Sequence, residues 1–90
     1  MDIQLRTYCI TESNGRTMIV HRSDAFIAKL CLGIAGGGFT PVQARHAEHL
    51  QHELLCEGRP LVRNGCTIRL VDGHVETIHV GEEAEERILH

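Results

Sequence analysis

The chain has 90 residues, 42% hydrophobic and 23% charged, with a formal net charge of −3. These proportions describe one small folded domain and exclude a disordered, collagen-like or coiled-coil chain. With 3% aromatic residues, it also lacks the basic excess of a duplex reader and the stacking platforms of a single-strand binder.

The first segment, Ile3 to Arg22, is predicted to be a β-hairpin. Asn14-Gly15 is a type I′ turn signal, because both central positions of that turn need positive φ. In the register such a turn sets, Thr11 faces Met18, Cys9 faces Val20 and Thr7 faces Arg22. The two-residue period then places Ile3, Leu5, Thr7, Cys9 and Thr11 on the core side. Tyr8, Ile10 and Ile19 fall on the outer face as apolar exceptions, and so become candidates for a partner-binding surface.

Ser23-Asp24 gives a helix-capping signal, with a helix from Ala25 to Ala35. Phe26, Ile27, Leu30, Cys31 and Ile34 spread over more than one stripe, and Lys29 is the only charge. That breadth suits a central helix, or one shared with a second copy in a homodimer. Gly36-Gly37-Gly38 ends it, since glycine takes the left-handed cap conformation without strain. The glycines follow a helix and lack the G-x-x-x-x-G-K-[ST] spacing, so they are read as a turn and not as a phosphate loop.

Thr40-Pro41-Val42-Gln43 starts a second helix: threonine caps, proline suits the first turn and glutamine completes a capping box. It is expected to reach Cys56 or Glu57 and stop at Gly58, with Val42, Ala47, Leu50 and Leu54 facing inward. Glu57 to Gly65 reads as a loop. A second hairpin turns at Asp72-Gly73, between Cys66–Val71 and His74–Val80, which makes Cys66 and His79 cross-strand neighbours.

The order ββααββ implies an α+β two-layer sandwich, a four-stranded antiparallel sheet with two helices on one face. Residues 1–81 form that domain; 82–90 form an acidic tail or a short docking helix. Met1 to Arg6 carries no basic leader followed by an apolar run, and Lys29 interrupts the stretch from Ala25 to Phe39. A span needs about 20 apolar residues, so no membrane role and a cytoplasmic location are expected. Cys9, Cys31, Cys56 and Cys66 form no C-x-x-C pair, which favours reduced, mostly buried thiols.

Several clusters are weighed for chemistry. On the second helix, His46 and His49, His49 and Glu53, and His52 and Cys56 stand three or four positions apart, and each pair shares a face. Imidazole, carboxylate and thiolate at such spacing can chelate a late transition metal, though the sequence points to no closing ligand. His52-Glu53 is not followed by a second histidine, so the H-E-x-x-H protease pattern fails. Cys66 beside His79 is a nucleophile–base geometry in principle and core packing in the ordinary case. Arg59 and Arg63 offer phosphate or carboxylate recognition. Glu82, Glu83, Glu85 and Glu86 offer an acidic face to a basic partner.

Nothing here builds a catalytic constellation, and no cofactor is expected. The sequence is therefore read as a small non-enzymatic protein–protein interaction module. In that role it regulates or inhibits a partner complex, in the manner of compact phage or mobile-element proteins. Two alternatives stand beside this: a metal-binding or metal-sensing module on the histidine-rich helix, and a weak nucleic-acid binder at Arg59 and Arg63.

Overall fold

Among the described residues, six elements follow the expected order: β1 (Asp2–Thr11), β2 (Thr17–Ser23), α1 (Asp24–Ile34), α2 (Pro41–Cys56), β3 (Leu61–Arg63) and β4 (Cys66–His79). This computed structural model describes residues 1–79, so the expected tail at 82–90, with Glu82, Glu83, Glu85 and Glu86, lies outside the described residues. The strands form one antiparallel sheet in the order β2-β1-β4-β3, an α+β architecture with both helices on one face.

The first hairpin forms, one residue away from the expected register. Thr11 lies opposite Thr17, Cys9 opposite Ile19 and Tyr8 opposite Val20. The connection explains the slip. Gly15 is left-handed at φ 88°, whereas Asn14 is not. The Gly15 N–H donates to the Glu12 carbonyl at 2.9 Å, and the Glu12 N–H donates to the Arg16 carbonyl at 2.8 Å. This is a three-residue loop built on a type I turn, with glycine in the left-handed position, in place of a two-residue type I′ turn.

The expected core face of β1 is corrected as well. Tyr8 is fully buried in the main core with Ile27, Cys31, Ala47, Leu54 and Leu61, and Ile10 is half-buried. Val20, Tyr8 and Leu70 make one cross-strand row, and Ile10, Ile68 and Leu61 make the next. Ile3 and Leu5 are buried too, in a separate cluster with Ile78. Leu5 and Tyr8 are an odd number of residues apart, so a regular strand sends them to opposite faces. β1 thus buries one face near its start and the other along its second half, which a single alternating stripe cannot describe.

The second hairpin is real but turns elsewhere. Asn64 and Gly65 have φ of 51° and 78°, the two left-handed residues of a type I′ turn. They join Arg63 to its partner Cys66. β4 then runs without reversal to His79. Asp72-Gly73 sits in an irregularity: Leu70 pairs with Tyr8 and Val75 with Arg6, so five steps of β4 oppose two of β1. The Asp72 carboxylate accepts from the His74 N–H at 2.8 Å, a local turn that absorbs the extra residues.

Both helix starts match the sequence. Ser23 Oγ accepts from the Phe26 N–H at 3.2 Å, and Thr40 with Gln43 completes the capping box of α2. At the end of α1, Gly37 donates to the Leu32 carbonyl at 2.8 Å and Gly36 to the Gly33 carbonyl at 3.3 Å. These are the paired bonds of a Schellman motif. In α2, Ala47 and Leu54 are buried and Leu50 packs against them, whereas Val42 is 77% exposed. Val42 stands five residues before Ala47, which is off the stripe at 3.6 residues per turn. The first-turn position that faces inward belongs to half-buried Gln43. No described helix is long and apolar enough to cross a membrane.

Candidate functional site

The first half of α2 presents the most exposed apolar surface on a helix. Phe39, immediately before the Thr40 cap, is 85% exposed. An apolar residue at that position ordinarily folds back onto the fourth helical residue. Here the fourth residue is Ala44, too small to hold a phenyl ring. On α2 itself, Val42, Arg45, His46 and His49 line a shallow, open hollow of about 350 Å³. Arg45 forms no ion pair among the described residues. The hollow therefore combines one apolar side chain, Val42, with an unneutralised guanidinium and two imidazoles.

The residues read as metal ligands do not converge. His49 Nε2 lies 2.7 Å from Glu53 Oε1, so that pair is spent on a one-turn hydrogen bond. The same Glu53 oxygen meets Arg59 Nη1 at 3.6 Å. His46, His52 and Cys56 are exposed. Among the described residues, no group of three or more His, Cys, Asp or Glu side chains is placed to hold an ion. The chelating spacing is present, but among the described residues no neighbouring element supplies the closing ligand.

Cys66 and His79 are not neighbours: they lie at opposite ends of β4, Cys66 opposite Arg63 and His79 opposite Asp2. His79 Nδ1 is instead 2.9 Å from Asp2 Oδ1. The thiols are all free, but only Cys31 is buried, where burial pushes its pKa up; Cys56 is exposed and Cys9 and Cys66 are half-buried. The expectation of mostly buried thiols is corrected accordingly.

Arg59 and Arg63 are each engaged within the chain. Arg59 reaches Glu53 and, through Nε, Glu57 Oε2 at 3.8 Å. The Arg63 guanidinium lies over Gly33 in the last turn of α1, so close that a β-carbon there would stand 2.9 Å from Nη1. A cation at that position complements the negative end of a helix dipole. Arg59 thus shares its charge with two carboxylates, while exposed Arg63 has no ion pair among the described residues.

The three sheet residues proposed as a partner surface are separated. Tyr8 faces the helices, Ile10 lies in the row beside it, and Ile19 alone is on the exposed surface, at 59%. The Tyr8 hydroxyl has no hydrogen-bond partner among the described residues. Its pKa is pushed up to about 12, first by burial and then by the Asp24 carboxylate, against the opposing charge of Arg6.

Comparison of the chain with protein-family models, with curated proteins and with solved structures found no match. Phe39 and Arg45 were not singled out from the sequence, although a signal was there: an aromatic residue preceding a capping box whose fourth helical position is alanine.

Proposed function

We propose that the protein is a non-enzymatic protein–protein interaction module and that the start of α2 is its docking surface. The observation that carries this reading is the 85% exposure of Phe39, the residue before the cap of the helix on which Val42, Arg45, His46 and His49 line an open hollow. Exposed aromatic and arginine side chains are the types that dominate binding energy at protein interfaces. The partner surface that fits supplies an apolar socket for Phe39 with a carboxylate beside it for Arg45. By covering such a surface, a small domain regulates or inhibits the complex to which its partner belongs.

A photo-crosslinking residue at position 39 tests this in cells of the source organism. The expected result is one crosslinked partner whose yield collapses when Arg45 is changed to Glu, with the melting temperature unchanged. The same yield in the Arg45→Glu protein, or crosslinking spread evenly over many proteins, would overturn the assignment of this surface.

A further inference from the structure

A second feature, which shares no residue with the docking surface, lies between the sheet and α1. Ile10, Val20 and Ile68 form the floor of an apolar cavity of about 130 Å³, and Ile27 of α1 forms its wall. A dry apolar cavity of about 150 Å³ is enough to take up benzene. Phe26 also lines it and marks the solvent side, since it is partly exposed and Ile27 is not; Arg22 lines it too. The Arg22 guanidinium lies over the Phe26 ring, 5.3 Å from its centroid.

The charges around this opening do not balance. Arg22 lies directly opposite Arg6 in the β1–β2 register, a like-charge pair that costs stability unless it is neutralised. Arg6 has its carboxylate, Asp24, at 2.8 Å. Arg22 has none within ion-pair distance among the described residues. One of its nitrogens, Nη1, donates to the His21 carbonyl at 2.8 Å. Its other donors have no hydrogen-bond partner among the described residues and keep the planar fork that suits a carboxylate. The opening is thus one anion short, above a cavity whose lining is mostly apolar.

We propose that this cavity binds a small amphipathic carboxylate, with a ring or branched chain about the size of benzene inside and the carboxylate on Arg22. The class covers simple aromatic and branched-chain carboxylic acids.

The test uses benzoate and its uncharged counterpart benzamide, titrated into the full chain labelled at Ile, Leu and Val methyl groups. Benzoate is expected to shift the methyl signals of Ile10, Val20 and Ile27 in a saturable way. Binding should weaken about tenfold in Arg22→Gln, the loss of one charge-assisted contact. That variant removes a surface-side group and is expected to stay folded. Ile10→Phe, which fills the cavity, should abolish the shifts, and a preserved methyl spectrum shows that it remains folded. Absence of saturable shifts with benzoate would overturn the proposal, as would equal affinity for benzoate and benzamide together with no effect of Arg22→Gln. Binding of a peptide carrying adjacent Phe and Asp, where benzoate fails, would reassign the cavity to a partner's side chain and likewise overturn it.

Discussion

Arg6 on β1 grips Asp24 at the first position of α1 with two contacts, Nε to Oδ1 at 2.8 Å and Nη2 to Oδ2 at 3.3 Å. The hydrogen bond to Asp24 is the main reason that the Arg6 pKa is raised. The pair ties the start of α1 to the middle of the sheet, and Asp24 also sits where a helix dipole favours negative charge. Both side chains keep some solvent contact, so the pair is worth about 1 kcal/mol at most. In a double-mutant cycle of Arg6→Gln and Asp24→Asn, a coupling of about 0.5–1 kcal/mol is expected from urea unfolding. A coupling of zero would mean that water screens the pair completely.

Tyr8 is the only tyrosine, and the chain has no tryptophan, so its ionisation can be followed by ultraviolet absorbance without interference. Its pKa lies at about 12 in the folded protein against an ordinary 10.0. The native state therefore holds the proton more tightly than the unfolded chain. That contribution is complete below pH 10 and drains away as pH rises towards 12, a loss of about 2 kcal/mol. Tyr8→Phe should not show this alkaline loss. At neutral pH the same substitution removes a buried hydroxyl without a partner, so a gain of about 1 kcal/mol is expected in place of the usual penalty. A destabilised Tyr8→Phe protein would show that the hydroxyl is hydrogen-bonded in solution.

The thiols provide a second local probe. Cys31 is buried and its thiol pKa is raised by burial, while Cys56 at the end of α2 is exposed. Since the thiolate is the reacting species, a disulfide reagent at neutral pH should modify Cys56 quickly and leave Cys31 until the protein unfolds. Cys56→Ser should remove the fast phase alone. Rapid modification of Cys31 in native protein would mean that α1 opens locally far more often than its packing against Tyr8 and Leu54 implies.

The elements that the sequence announced most clearly are those governed by local chemistry. Ser23, Thr40 with Gln43, and Gly36-Gly37 act within one turn of backbone, and each sits where its neighbours alone would place it. What was not legible depends on contacts across the chain. Tyr8 is buried because two helices cover its row, a fact that the alternation along β1 does not contain. His46, His49 and His52 have ligand-like spacing, but only the rest of the fold decides whether a further ligand approaches. Phe39 and Arg45 belong to the same kind of problem, since exposure follows from what fails to pack.

The two Gly-containing turn signals of the second half make the sharpest test of the fold, because sequence and structure assign them opposite roles. A type I′ turn at Asp72-Gly73 would place Gly73 in the left-handed region and make alanine costly there. In the structure, Gly73 has an ordinary φ and nothing within 4 Å of an added β-carbon. Gly65 has φ of 78°, and an added β-carbon would stand 3.3 Å from the Ser13 Cβ. Left-handed backbone costs a non-glycine residue about 1–2 kcal/mol. Gly65→Ala is therefore expected to lose about that much on urea unfolding, whereas Gly73→Ala should be neutral or slightly stabilising through the unfolded state. The reverse order would restore the hairpin at Asp72-Gly73 and bring Cys66 back beside His79. It would also break the continuous β4 that links Leu61 at one end of the sheet to Ile3 at the other.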